Sequence, residues 1–334
     1  MKQILKYAVP FGLGGGLLYW VFKDIDLFST IQNFKDANYF YVGLALIVAF
    51  GAHTSRAFRW NLMLEPLGYK ASLSNTTIAV LLGYITNLIL PRAGEFARSA
   101  SLQKSDNIPF EKSFGAVIAE RVIDVLVLGL LVLLNLALEF QRVKGLMDEQ
   151  IGNKFKNSSL LFVILIFSFV FFALFVFFFR KYKIKLLKTP LVKKIWLILH
   201  GLLSGFGSVL KLKNPWVFVF HTLFIWSLYF FSTFLLCKAV PIGNNLSFLA
   251  VLTILVMGSI AMAAPTLGGI GSYHFLVGKI VVLYGLNSEE GINLATFLHT
   301  MHGIIFVVTL GLAAFIWSLI ISKPSFKNKK KLIK

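Results

Sequence analysis

Residues Gly83-Tyr84-Ile85-Thr86-Asn87-Leu88-Ile89-Leu90-Pro91-Arg92-Ala93-Gly94-Glu95-Phe96-Ala97-Arg98 decide how this chain is read. An apolar run stops at a proline, and a glycine and three charged residues follow within seven positions. In a soluble protein such a stretch is a helix, a turn and a second helix. The remainder of the chain places it in a membrane.

Of the 334 residues 57% are hydrophobic, 34 are Phe and only 14% are charged. A soluble domain carries about 25% charged residues. Several apolar runs reach the roughly 18 residues that a helix needs to cross a bilayer core. The runs are continuous rather than alternating, which excludes a strand barrel. The expected class is an all-α polytopic membrane protein, one integral domain over residues 1–334. The formal charge of +19 points to anionic lipid rather than nucleic acid, because the basic residues sit between apolar runs and at the C-terminus. Cys237 stands alone in an apolar run, so neither a disulfide framework nor a cysteine-based metal site is predicted.

Sidedness follows from charge. Segment 180–215 carries nine basic residues and no acid, and the tail 322–334 carries six lysines and no acid. Both are assigned to the cytoplasm, with the N-terminus. Runs at about 4–22, 39–58, 113–138, 158–179, 216–240 and 295–321 then serve as six full spans. Two stretches must enter and leave on one side. Residues 73–90 do so from the cytoplasm, and 247–285, broken at Pro265-Thr266-Leu267-Gly268-Gly269-Ile270-Gly271, from outside. Glu289 and Glu290, with no base nearby, suit the outer side. The competing arrangement makes 73–90 or 192–210 an ordinary span. Segment 184–210 mixes lysines with Ile195, Trp196, Leu199 and Leu202, which suits an amphipathic helix on the inner surface.

Both breaks place a glycine three residues after a proline, Gly94 after Pro91 and Gly268 after Pro265. Each is flanked by one full span on either side. Two oppositely oriented re-entrant pairs, an inverted repeat of about 39–138 and 216–321, are expected, and in such architectures substrate sites lie where the breaks meet.

The charged residues supply the chemistry. Arg92, Glu95 and Arg98 are spaced three apart, so a helix starting at the break would present them together beside free N–H groups, an arrangement suited to phosphate. Glu120, Arg121 and Asp124 lie about two turns inside the run that follows, where ionisable groups need partners and face protein or a wet cavity. Arg121 could pair with Asp124, leaving Glu120 for Arg92 or Arg98; the alternative is a purely structural ion-pair network. Gly268, Gly269 and Gly271 permit close backbone approach, and His274 either caps the following half-helix or titrates. His299 and His302, at i and i+3, are read as helix-to-helix hydrogen bonders. Arg56 and Arg59 are read as snorkelling to lipid headgroups, the alternative being a contribution to the polar cavity. No Ser-His-Asp pattern, His-Glu-x-x-His motif, phosphate-binding loop or dinucleotide glycine motif occurs, so no catalytic residue, metal or cofactor is assigned and an ATP-driven pump is excluded for the chain alone.

Leu90-Pro91-Arg92-Ala93-Gly94-Glu95-Phe96-Ala97-Arg98, then Ala119-Glu120-Arg121-Val122-Ile123-Asp124, then Pro265-Thr266-Leu267-Gly268-Gly269-Ile270-Gly271 occur in that order. The pattern resembles the lysylphosphatidylglycerol synthase transmembrane-region family, also called the UPF0104 integral membrane family. The resemblance implies a flippase-like region that moves lipid made by a separate synthase domain. This chain ends about a dozen residues after its last run, so it is expected to lack that domain. Many members carry a second proline inside the glycine motif and an acid soon after it; here Leu267 and His274 stand instead. The resemblance thus implies a multi-pass protein of a prokaryotic cytoplasmic membrane whose partners are an anionic or aminoacylated phospholipid and a separate lipid-modifying enzyme. The alternatives are a membrane-embedded enzyme, or a non-transporting partner of a lipid- or glycan-modifying synthase.

Overall fold

The structure is a computed structural model that describes residues 27–90, 92–140, 142, 207–264 and 266–321. The runs 4–22 and 158–179, the tail 322–334, Pro91, Pro265 and all but the end of segment 180–215 lie outside these residues. Every described element is helical. Helix α1 is Leu27–Lys35, α2 Tyr39–Leu64, α3 Leu73–Ile89, α4 Gly94–Asp106 and α5 Phe110–Leu138. Helix α6 is Pro215–Ala239, α7 Phe248–Ala263, α8 Ser272–Ile280, α9 Ser288–Leu298 and α10 Phe306–Ile321. A π turn, His299–Ile305, joins α9 to α10.

Among the described residues three stretches, Tyr39–Leu67, Pro215–Ala239 and Ser288–Ser318, are long and apolar enough to cross a membrane. Helices α3, α7 and α8 are apolar but shorter. Helix α5 has 29 residues, with Glu120, Arg121 and Asp124 inside it.

Helices α2 and α6 form the antiparallel centre. The Asn38 N–H, just ahead of α2, donates to Ala239 O at the end of α6 at 2.7 Å. At the opposite end Trp60 and Phe218 share an apolar cluster. Ala45, Ala49 and Ala52 are fully buried on one face of α2, and such small side chains let backbones approach in a membrane. Ser232 Oγ uses that proximity to donate to Ala45 O at 3.1 Å.

Two hairpins are built on this pair. In the first, Ser72 caps α3 by accepting from Asn75 N at 3.1 Å. Helix α4 runs back until Asp106 accepts from Asn75 Nδ2 at 3.0 Å, so the hairpin finishes where it began, beside Asn61 near the end of α2. Gly83 permits the close fit: a methyl there would sit 2.6 Å from Arg98 Cγ and 2.9 Å from Gly94 O. In the second, Phe248 opens α7 with its ring 4.8 Å from Phe234, near the Ala239 end. The chain returns through α8 until the Tyr284 hydroxyl meets Thr253 Oγ1 at 2.6 Å. The hairpins therefore start from opposite ends of the α2–α6 pair.

Their tips meet. A methyl on Gly268 would lie 3.1 Å from Leu88 Cδ2, and Arg92 Nη2 donates to Ala263 O at 3.4 Å. Gly268, Gly269 and Gly271 have φ of 55°, 80° and 81°, a region that non-glycine side chains enter only under strain.

The last helical run begins at Ser288 rather than near 295. Asn287 and Glu290 form a reciprocal cap, with bonds of 2.8 and 2.9 Å, and Glu289 joins them in the first turn, where the helix dipole favours acids.

Candidate functional site

Helix α5 presents Glu120 and Asp124, one turn apart, to α2, whose Arg56 and Arg59 are three apart on the facing side. Arg56 Nη1 meets Glu120 Oε1 at 2.9 Å and Arg56 Nη2 meets Asp124 Oδ2 at 2.9 Å. Arg59 Nη2 meets Asp124 Oδ1 at 2.7 Å and lies 3.6 Å from Glu120 Oε1, while its Nη1 donates to Thr222 Oγ1 of α6 at 3.2 Å. From the first hairpin, Arg98 reaches Glu120 Oε2 at 3.1 Å and Oε1 at 3.3 Å. Its guanidinium also lies 4.4 Å from the Trp60 ring, a cation–π contact that favours the planar, weakly hydrated Arg over Lys.

All five charged side chains are buried, and Glu120 and Arg59 are wholly so. Among the described residues three guanidiniums face two carboxylates, leaving one positive charge in excess in the cluster. The Nε–H groups of Arg56, Arg59 and Arg98 and the Trp60 Nε1–H find no acceptor among the described residues. Burying such charges is costly unless they are paired, so this cluster holds donors and charge that its own acids do not exhaust.

The second group is Arg121 with Glu95. Arg121 Nη2 meets Glu95 Oε1 at 2.9 Å, and both side chains are partly exposed. Val80, Gly83, Tyr84, Asn87, Gly94, Arg98 and Arg121 surround a narrow seam between the hairpin and α5, too tight to admit a water molecule. The break is held there by the Gly94 N–H, which donates to Asn87 Oδ1 at 2.7 Å.

Several expectations change. Arg56 and Arg59 do not snorkel; they are the centre of the network, because α5 brings two acids to the face of α2 they occupy. Arg121 does not pair with Asp124. It turns about 100° around α5 from Glu120 and meets the first hairpin, while Asp124 goes to α2. Arg92 does not join Glu95 and Arg98 on one helical face. Helix α4 starts two residues later, at Gly94, and Arg92 has a left-handed φ of 61°, which sends its exposed side chain to the second hairpin. The sequence marked Arg56 and Arg59 only by their position one and two turns beyond His53 at the end of a span, which left a place in the polar cavity as the lesser of two readings.

At the second break, His274 Nδ1 accepts from Gly271 N at 3.3 Å, and His299 Nε2 is 2.8 Å from Gly268 O. Ser272 Oγ lies 2.9 Å from Ala261 O and 2.9 Å from Thr266 Oγ1, stitching the two halves of the break. Pro91 and Pro265, named from the sequence as the breaks themselves, are outside the described residues.

An apolar groove of about 450 Å³ opens on the other face of α3, lined among others by Phe50, Thr77, Leu81, Ala313, Ala314 and Trp317. Two of its hydroxyls are turned inward, Thr54 Oγ1 donating to Phe50 O at 3.0 Å and Thr77 Oγ1 to Leu73 O at 2.8 Å. The groove wall therefore offers methyl and methylene groups.

Comparison with known proteins extends the geometry. The family model for the lysylphosphatidylglycerol synthase TM region matches residues 5–321. A UPF0104 membrane protein of Methanocaldococcus jannaschii is 34% identical over 103 residues, 30% of this chain and 31% of that protein. Glycosyltransferase AglD of Haloferax volcanii is 31% identical over 106 residues, 31% of this chain and 17% of that protein. Each alignment thus spans less than a third of these relatives. No solved structure matches.

Proposed function

Since this chain belongs to the lysylphosphatidylglycerol synthase TM-region family, we propose that it moves an anionic or aminoacylated phospholipid, or another lipid-linked amphiphile, between the leaflets of a prokaryotic cytoplasmic membrane. The observation that carries the reading is the buried cluster of Arg56, Arg59, Arg98, Glu120 and Asp124, with one positive charge in excess and unused N–H donors. Charge buried at membrane depth is costly, and its usual reason is a substrate or ion path. A phosphate would supply both the missing charge and the missing acceptors. Glu95, whose Oε2 has no hydrogen-bond partner among the described residues, provides a carboxylate oxygen for an aminoacyl cation.

The two hairpins supply the moving parts in this reading. They are taken as re-entrant pairs, an inverted repeat of about 39–138 and 216–321, entered from opposite faces and touching at Arg92, Leu88, Ala263 and Gly268. The ends of α2 and of the first hairpin are placed at the cytoplasm, with both termini. Separation of the touching tips would open the seam beside Arg98 to one side at a time, as in transporters built from broken helices. The groove along Phe50, Leu81, Ala314 and Trp317 suits the acyl tail of the same molecule.

A second reading has one observation in its favour, the match to a glycosyltransferase: the chain would serve as the membrane partner of a lipid- or glycan-modifying enzyme. Translocation of labelled phosphatidylglycerol and its lysyl derivative in proteoliposomes separates the two. A transporter moves at least one of them and makes no new chemical species, with movement lost in Arg98→Met. A partner moves neither and co-purifies with an enzyme.

A further inference from the structure

The five buried charges come from three elements. Arg56 and Arg59 belong to α2, Glu120 and Asp124 to α5, and Arg98 to the first hairpin. The first four balance one another. The hydrogen bonds among them are 2.9, 2.9 and 2.7 Å long, the usual length of a charge-assisted bond. Arg98 is bound to Glu120 at 3.1 and 3.3 Å, the longest hydrogen bonds between charged groups in the cluster. Without Arg98 two guanidiniums would face two carboxylates, so the excess positive charge is carried by this side chain.

Glu120 fills the place that an anion would take on Arg98. Its carboxylate is wholly buried, and the seam beside Arg98 is too tight to admit a water molecule. A phosphate therefore has no room in the closed network and must replace an acceptor. Glu120 can give up Arg98 without being stranded, because Arg56 Nη1 stays with it at 2.9 Å. Arg98 can give up Glu120 without losing its place, because its guanidinium rests 4.4 Å from the Trp60 ring. Its Nε–H has no acceptor among the described residues, so a phosphate offers it more bonds than Glu120 does.

We infer that Arg98 switches partners: Glu120 holds it while the site is empty, and the headgroup phosphate takes it from Glu120 and so loosens the first hairpin from α5. The inference rests on the headgroup reading above. Only hydrogen bonds change. Two bonds from Arg98 to the carboxylate break, bonds from Arg98 to phosphate oxygens form, and no proton or covalent bond moves. After the switch every charge has a partner, Arg98 with the phosphodiester and Arg56 and Arg59 with Glu120 and Asp124. Among the described residues the ion pairs between α4 and α5 are Arg98–Glu120 and Glu95–Arg121. The switch removes the buried one and leaves the hairpin on the partly exposed one, so seating the headgroup prepares the hairpin to move.

The test uses the purified full chain in uncharged, phosphate-free detergent, titrated with short-chain phosphatidylglycerol and, as control, short-chain diacylglycerol. Binding is followed by calorimetry, and backbone amide hydrogen exchange by mass spectrometry. Glu120→Gln should bind phosphatidylglycerol about tenfold more tightly than the wild type, because a carboxamide competes poorly for Arg98. Asp124→Asn removes the same charge from the cluster without touching Arg98, and should gain less. In the wild type, phosphatidylglycerol should speed amide exchange across α4 severalfold and leave α2 as it was, while diacylglycerol does neither. The exchange measurement needs no substitution, so it decides the matter even if Glu120→Gln does not fold. Slower or unchanged exchange of α4 on binding, or equal gains in the two variants, would show that the phosphate joins the network without displacing Glu120. Either result overturns the switch and leaves the headgroup site standing. Phosphatidylglycerol binding no better than diacylglycerol in wild type and Glu120→Gln alike overturns the headgroup site, and the inference with it.

Discussion

Arg121 Nη2 lies 2.9 Å from Glu95 Oε1 on the first hairpin, although Asp124 is only one turn away on the same helix. Asp124 is already held by Arg56 and Arg59 at 2.9 and 2.7 Å. The charges thus divide into two groups of different character. One is buried, three cations to two anions, and joins α2, α4 and α5. The other is a partly exposed, balanced pair that fastens the hairpin to α5.

The balanced pair should contribute little to stability. Partly exposed ion pairs are worth about 0–1 kcal/mol, and a double-mutant cycle of Glu95→Gln and Arg121→Met should find a coupling in that range by thermal unfolding in detergent. A coupling above about 3 kcal/mol would mean that the hairpin depends on this pair.

The buried group should respond asymmetrically. Glu120→Gln leaves three guanidiniums facing one carboxylate, and removing a partner from a buried ion network costs about 3–5 kcal/mol. Arg98→Met leaves two facing two, so its loss should be smaller despite the missing Trp60 contact. The Tm of each variant in detergent decides this. Equal losses would show that the network is not positive in excess, and the headgroup argument would lose its charge.

Much of the fold was legible because it depends on length and charge. The stop at Leu90, the start of α7 at Phe248 and the interval between them follow from apolar runs and glycines. Glu120 and Asp124 were legible as acids inside a span. Their partners were not. Arg56 and Arg59 end an apolar run, where basic residues usually reach for headgroups. Only the packing of α2 on α5 shows that they turn inward. Arg92 was misplaced for a backbone reason, since its positive φ delays the start of α4. The start of the last helix at Ser288 was missed because Glu289 and Glu290 read as a polar loop, whereas they form the first turn of a capped helix.

Close packing of the first hairpin gives a steric prediction. Gly83→Ala puts a methyl 2.6 Å from Arg98 Cγ and 2.9 Å from Gly94 O, while Gly43→Ala meets nothing within 4 Å. Overpacking of this kind costs about 1–3 kcal/mol. Gly83→Ala should lower Tm measurably and Gly43→Ala should not. Because Arg98 must move to admit the methyl, Gly83→Ala should also weaken phosphatidylglycerol binding, and unaltered binding would show that Arg98 does not hold the headgroup.

The groove gives the last prediction. Ala313 lines it on the exposed side of α10, so Ala313→Trp fills space without disturbing the buried core. Surface substitutions of this sort change stability by about 0.5 kcal/mol or less. If the groove holds the lipid tail, translocation of phosphatidylglycerol in proteoliposomes should fall severalfold while Tm stays constant. Leu130→Trp, on the exposed face of α5 at 65% exposure, adds the same ring away from the groove and should leave translocation intact. The closed end of the groove sharpens the comparison. Gly311, next to Leu310, packs on Ile85 so tightly that a methyl would lie 2.7 Å from Ile85 Cβ, so a tail that entered beside Trp317 would meet closely packed helices there. About seven residues of helix separate that entrance from Leu310, roughly 10 Å, so the groove is less than one leaflet deep. A lipid with shortened chains should therefore escape the effect of Ala313→Trp, and equal slowing of long- and short-chain lipids would assign the ring a general effect on the hairpin instead.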